Sequence, residues 1–141
     1  MIEILNRQKR YDIDTARLHD LLEGLLRTYG SPNAEVTLAL VNDAPMRALN
    51  RRFMTKDAST DVLSFPIRDL APDGKYYLGD IIISVPHAAR QSRSQGHPLQ
   101  RELEFLVIHG LLHLKGFEHF EGLEEEEETA RTRWLEERHE R

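Results

Sequence analysis

Residues 101–116 read RELEFLVIHGLLHLKG, a stretch of the 141-residue chain that is apolar on most faces of a helix. Its apolar residues are Leu103, Phe105, Leu106, Val107, Ile108, Leu111, Leu112 and Leu114. A helix that is hydrophobic on nearly all sides is stable only when it is buried. The stretch therefore predicts a long buried helix that opens at Pro98 and ends near Leu114.

This helix carries two histidines, His109 and His113, one helical turn apart. Residues at i and i+4 share a face, with their Cβ atoms about 5–6 Å apart, so both imidazoles can reach one metal ion. Gly116 can take a left-handed conformation and reverse the chain, which allows His119 to return toward the same point. The alternative is that these are unrelated histidines, buried or on the surface.

The complete pattern is H-x-x-x-H-x-x-G-x-x-H, and it predicts a metal site formed by His109, His113 and His119. Three histidines leave one tetrahedral position open for water, as in catalytic zinc sites, where the pKa of that water falls to about 7. The chain has no cysteine, so its metal ligands must be nitrogen and oxygen atoms. We expect one zinc ion, although imidazole also suits nickel, copper and iron.

The same spacing occurs in the metzincin proteases, in which a glutamate follows the first histidine and acts as the general base. Here that position is Gly110, which cannot accept a proton. The sequence thus predicts a zincin-like metal-binding helix without the base of a peptidase.

The rest of the chain predicts one α+β domain over residues 1–141, with a small mixed sheet and helices packed on it. Strands are expected near residues 2–8, 34–41, 61–67 (ended by Pro66) and 78–85. Further helices are expected from Asp14, from Asp43 as an N-cap, from Pro86, and over about 122–137.

Composition indicates a cytoplasmic protein. The absence of cysteine fits a reducing compartment. The opening MIEILNRQKRYD becomes charged too soon for a signal peptide, and no apolar run approaches the ~20 residues of a membrane span.

The net charge is −5, but six acids lie within residues 121–128, which leaves the remainder near neutral. Arg51, Arg52 and Lys56 form a basic cluster that suits nucleic acid or is simply solvated.

Three segments together resemble the YbeY family of bacterial endoribonucleases. They are HGLLHLKGFEH at 109–119, LNRRFMTKDASTDVLSFP at 49–66 and LGDIIIS at 78–84. The resemblance implies a zinc-dependent hydrolase that cuts single-stranded RNA, with its metal in a cleft beside the final helices. It also implies a role in the maturation of ribosomal RNA and in ribosome quality control.

The chain departs from the family pattern in places. Phe53 and Met54 stand where the family usually has a Tyr-Arg pair, whose arginine is thought to meet the RNA. Ser59 stands for a frequent proline, and Glu118 for an aspartate. Arg51 and Arg52, one turn earlier, are candidates to replace the arginine.

On this hypothesis, Lys56 with Arg51 or Arg52 holds the phosphate backbone. Asp80 is the candidate catalytic residue, which would orient a ligand histidine, hold a water or accept a proton. The simpler alternative for Asp80 is a structural hydrogen bond at a strand end.

Two other functions remain open. One is a metal-stabilised partner of the ribosome or of ribosomal proteins, with little nuclease activity. The other is a small metallopeptidase or related hydrolase, which Gly110 argues against.

Overall fold

The computed structural model describes residues 1–117 and 122–136, and in this part of the chain four strands form one mixed sheet. The strands are β1 (Ile2–Asn6), β2 (Ala34–Val41), β3 (Val62–Leu70) and β4 (Tyr76–Ser84). Their spatial order is β1-β2-β4-β3. The first three in that order run parallel, and β3 is antiparallel to β4. The small mixed sheet expected from the sequence is confirmed.

Five α-helices accompany the sheet in the described residues. They are α1 (Thr15–Thr28), α2 (Asp43–Met54), α3 (Val85–Gln95), α4 (Leu99–Leu114) and α5 (Leu123–Arg131), the last continuing as a π-helical segment, Thr132–Glu136. The predicted α+β class is therefore confirmed. Among these residues, no helix has the length and apolar character needed to cross a bilayer.

The main core lies between one face of the sheet and helices α1 and α4. Strand residues such as Val36, Leu38 and Ile81 are fully or almost fully buried there. Helix α4 contacts α1, α3 and α5 as well as strands β3 and β4. This enclosure explains why α4 is apolar around most of its circumference, as a helix surrounded by protein must be.

The opposite face of the sheet packs against α2. A smaller apolar cluster there contains Val41, Met46 and Leu63. Because successive side chains of a strand alternate between the two faces, Ile82 belongs to this cluster while Ile81 belongs to the main core. The two faces of β4 therefore present different residues to α4 and to α2.

Helix α4 approaches the sheet most closely at Gly110. A Cβ atom built there would lie 2.7 Å from Cγ2 of Ile81 and 3.2 Å from Oγ of Ser64. The Ser64 hydroxyl donates a hydrogen bond of 3.2 Å to the Gly110 carbonyl. Glycine at this position allows the helix backbone to lie directly against the Ile81 and Ser64 side chains of the sheet.

Pro66 does not end β3, contrary to the sequence prediction. The strand continues to Leu70 because it lies at the edge of the sheet, where a residue without an N–H is tolerated. The register with β4 shifts between Pro66 and Asp69, at a bulge that includes Arg68 with φ of 51°. The Arg68 guanidinium donates to the carbonyl of Leu114 at 3.2 Å, so it stabilises the C-terminus of α4.

Asp43 is not the N-cap of α2, which also corrects the sequence prediction. Asn42 occupies the cap position, and Asp43 is the first helical residue. Its carboxylate accepts hydrogen bonds from Ser84 (2.7 Å), Ser59 (3.1 Å) and both terminal nitrogens of Arg90 (2.9 and 3.3 Å). The side chain is thus engaged in joining α2 to α3 and to the loop before β3.

The contact at Gly110 predicts that Gly110→Ala destabilises the protein. Alanine gains about 1 kcal/mol of helix propensity over glycine, but an extra methyl in a packed core costs about 1–3 kcal/mol. We expect urea denaturation to show that the free energy of unfolding falls by up to about 2 kcal/mol, the difference between these two terms. In an Ile81→Ala background the loss should be smaller, because the opposing methyl is gone. An equal loss in both backgrounds would contradict the close contact.

The contacts of Asp43 predict an unusual acid titration. Hydrogen bonds from Arg90, together with those from Ser84 and Ser59, lower the pKa of Asp43 to about 2. Partial desolvation of the carboxylate opposes this shift. A depressed pKa stabilises the fold above the ordinary aspartate value, and this contribution is lost as pH falls through about 2. Carboxyl-carbon NMR should give a midpoint near that value in wild type. In Arg90→Ala the midpoint should rise toward the ordinary aspartate value. An unchanged midpoint would show that Arg90 does not lower the pKa of Asp43.

Candidate metal centre

His109 and His113 lie side by side on the last two turns of α4. Their ring centroids are 4.6 Å apart, and the two ring planes meet at 68°. The helical repeat produces this pairing, because residues four apart project from the same face. The paired imidazoles predicted from the sequence are therefore present in the structure.

The two imidazoles line a cleft of about 310 Å³. One wall is the histidine face of α4, and the other is the edge strand β3. The end of α2 contributes Met54. The lining residues are Met54, Val62, Leu63, Ser64, Pro66, His109 and His113. Both histidines remain partly exposed, so the cleft gives solvent and solutes access to them.

Gly116 ends α4 in the left-handed conformation that the sequence predicted for it. This residue is left-handed, with φ of 95°. The N–H of Phe117 donates to the carbonyl of Leu112, and the N–H of Gly116 to that of His113, both at 3.0 Å. This pair of bonds is the Schellman motif. Phe117 packs onto the main core, as predicted. His119, the predicted third ligand, lies outside the described residues.

Glu127 on α5 is a site residue that the sequence interpretation missed. Its carboxylate is hydrogen-bonded to Nδ1 of His109. The Glu127 side chain is only 14% exposed, although the neighbouring acids Glu125 and Glu128 are exposed. The run of acids in α5 is therefore not uniformly a solvated face.

The donor atoms fit a zinc ion. An ionised carboxylate can only accept a hydrogen bond, so a neutral His109 in this contact carries its proton on Nδ1 and a lone pair on Nε2. Nitrogen of imidazole is an ordinary zinc ligand, and His113 supplies a second imidazole next to the first. Carboxylate–histidine pairs of this kind accompany metal-binding histidines in many proteins.

Asp80 does not reach this cleft. Its neighbours Gly79 and Ile81 face α4, since a Cβ on Gly79 would meet Leu114 and Ile81 meets Gly110. By strand alternation, Asp80 projects from the opposite face. There its carboxylate accepts a hydrogen bond from the hydroxyl of Tyr77. Burial and this contact raise the pKa of the Tyr77 phenol. The structure thus separates Asp80 from His109 and His113.

The basic cluster belongs to the same segment as Met54, which lines the cleft, but its own three residues are not among the lining residues. Arg51 and Arg52 belong to the last turn of α2, and Lys56 follows it; all three are exposed. The Arg52 guanidinium lies 5.1 Å from the ring centroid of Phe53. Met54, at the position of the family arginine, is the member of this segment that lines the cleft.

A second group with metal-ligand chemistry lies on the surface of α1. The potential ligand atoms of His19, Asp20 and Glu23 are within 4.8 Å of one another. The two acids are exposed, and Glu23 also pairs with Arg27 at 3.4 Å. Surface charges spaced one turn apart on a helix produce such groups without any ion, so this group supports no further function.

Position 110, which holds the general base in the metzincins, is tightly packed here. A Cβ atom on Gly110 would lie 2.7 Å from Cγ2 of Ile81 and 3.2 Å from Oγ of Ser64. A glutamate side chain would therefore fit only if these neighbours moved.

The fold and the paired histidines define an α+β protein with a histidine-lined cleft at one edge of its sheet. Residues 3–138 match the family model described as endoribonuclease YbeY. A relative of that name from Carboxydothermus hydrogenoformans is 40% identical over 140 residues, which cover 98% of this chain and 94% of the relative. Another, from Moorella thermoacetica, is 44% identical over 128 residues, 82% of each chain.

Among solved structures, the solution structure of TM1509 from Thermotoga maritima is similar, with a TM-score of 0.67 and 27% identity. The alignment covers 99% of this chain and 93% of that protein. Together these similarities show that the chain belongs to the YbeY family.

Proposed function

We propose that the protein is a zinc-dependent endoribonuclease that hydrolyses single-stranded RNA. Its role would be the maturation of ribosomal RNA and the quality control of ribosomes in the cytoplasm. Membership in the family supports the reaction class, because the relatives from Carboxydothermus and Moorella carry the name endoribonuclease. The observation that carries the proposal is the pair of imidazoles, His109 and His113, facing an open cleft.

In this proposal His109 and His113 hold the metal ion together with His119. When bound, zinc supplies a Lewis acid that polarises a phosphoryl oxygen and lowers the pKa of a water molecule to about 7. The protein's own contribution is to keep two imidazoles adjacent on a buried helix. The contact of Glu127 with Nδ1 of His109 leaves the lone pair of a neutral imidazole on Nε2, the atom that would act as the ligand.

Binding of the RNA is assigned to the end of α2 and the residues after it. Arg51, Arg52 and Lys56 would attract the phosphates, since all three are exposed cations in the segment that contributes Met54 to the cleft. Phe53, which is 53% exposed, offers an aromatic ring to an unstacked base. Aromatic stacking of this kind favours single strands over duplexes.

The metal role of the cleft predicts that His113→Ala loses both zinc and cleavage. Wild type should bind about one zinc ion per chain and cut single-stranded ribosomal RNA. The variant, like wild type treated with chelator, should be slower by about 100-fold or more, since the metal contributes several kcal/mol to the transition state. Protein purified to constant specific activity should be used for all three measurements.

His19→Ala is the matched control, because His19 belongs to the surface group on α1. This variant should keep the zinc content and activity of wild type. If His19→Ala lost zinc and His113→Ala retained it, the metal site would lie on α1 and not in the cleft. Cleavage by His113→Ala at the wild-type rate would refute the proposed catalytic site.

Met54 predicts that RNA binding can be strengthened by one substitution. Met54→Arg would add a cation to the lining of the cleft, where the family usually has arginine. One added contact with a single-strand phosphate should steepen the dependence of log KM on log salt by about 0.7. Met54→Gln, which adds no charge, should leave the slope unchanged. An unchanged slope in Met54→Arg would show that RNA phosphates do not reach this part of the cleft.

The missing arginine favours one alternative function, a metal-stabilised ribosome-associated protein with little nuclease activity. In that case wild type that holds zinc would not cut RNA, and Met54→Arg would introduce cleavage. Binding to ribosomes would persist in preparations that lack nuclease activity.

A further inference from the structure

Glu127 holds the histidine that the proposed function assigns to the metal. Its carboxylate is hydrogen-bonded to Nδ1 of His109, across the interface between α5 and α4. Both side chains are mostly buried, with exposures of 14% and 25%. A carboxylate removed from water in this way is costly unless it has charged or hydrogen-bonding partners. The contact is therefore a specific one that fixes both side chains.

The position of Glu127 is itself determined by its surroundings. Its second carboxylate oxygen lies 3.7 Å from a terminal nitrogen of Arg131, one turn later on α5. The Arg131 guanidinium in turn lies 4.0 Å from the ring centroid of Phe105 on α4. These contacts form a continuous series that begins and ends on α4. The series runs from Phe105 through Arg131 and Glu127 to His109.

Helix α5 is anchored independently of this set. Leu123 and Ala130 are buried in the main core. Glu126 accepts a hydrogen bond of 2.5 Å from the hydroxyl of Tyr29, the residue that follows α1, and burial together with this contact raises the pKa of that phenol. The helix thus brings Glu127 to His109 in a fixed orientation.

We propose that Glu127 is a positioning residue that fixes the tautomer and ring orientation of His109, so that Nε2 faces the metal. This inference rests on the proposed function for the identity of the metal. Glu127 acts through His109, and its side chain is not assigned as a ligand. Carboxylates that hold a ligand histidine in this manner typically change metal affinity by about 10–100-fold when they are removed.

The first test measures the dissociation constant of zinc by competition with a chelator. Glu127→Ala should weaken binding by about 10–100-fold. Glu127→Gln should have a smaller effect, because its amide oxygen still accepts from Nδ1–H but carries no charge. Glu128→Gln is the matched control, since Glu128 is the exposed neighbour on the same helix, and it should bind zinc as wild type does. Wild-type affinity in folded Glu127→Ala would overturn the inference.

The second test needs no metal. Nitrogen-15 NMR of the metal-free protein reports which ring nitrogen of His109 carries the proton. Wild type and Glu127→Gln should show the Nδ1–H tautomer, and Glu127→Ala should lose this preference. A merely stabilising role of Glu127 would leave the tautomer unchanged, and that result would overturn the inference.

The two tests separate this inference from the proposed function. Failure of wild type to bind zinc would refute the proposed function and the metal part of the inference together. The tautomer of His109 would then still decide whether Glu127 fixes the ring. Zinc binding by wild type with no effect of Glu127→Ala on affinity or tautomer would refute the inference alone.

Discussion

Helix α4 packs closely against the sheet, and the position of the cleft and of its histidines follows from this packing. Gly110 allows the helix backbone to contact Ile81 and Ser64 directly, and Arg68 of the edge strand secures the helix end at Leu114. The same packing turns the neighbouring positions 109 and 113 toward the open edge of the sheet. A cleft therefore forms between the helix and β3, and its polar groups include two imidazoles held by a helix that is almost entirely buried. The scaffold of the site is therefore part of the core itself.

Much of this could be predicted from the sequence, because the relevant signals are local. The apolar surface of residues 101–116 requires burial, and the spacing of His109 and His113 follows from the helical repeat. Gly116 marked the end of the helix for a stereochemical reason that the structure bears out, namely its left-handed conformation. The family resemblance, which rests on three segments of the chain, is confirmed by the family model that matches residues 3–138.

The features that sequence reasoning missed depend on contacts between distant residues. Asp43 looked like a helix cap, but its carboxylate is taken by Arg90 and Ser84, 47 and 41 residues further along the chain. Pro66 looked like a strand end, but the edge position of β3 was needed to see why it is tolerated. Glu127 lies within a run of acids that resembles a solvated helix face, but its spacing from the apolar residues of the same helix could have identified it. It follows Leu123 by four residues and precedes Ala130 by three, so it lies on the buried stripe of α5.

X-ray diffraction from crystals grown with zinc would show whether the cleft beside α4 is a metal centre. Anomalous difference maps recorded on the two sides of the zinc absorption edge locate the ion without reference to activity. We expect one strong peak within bonding distance, about 2.0–2.1 Å, of a ring nitrogen of His109 and of His113. A peak at His19 and Glu23 with none in the cleft, or a cleft without anomalous density at saturating zinc, would contradict it.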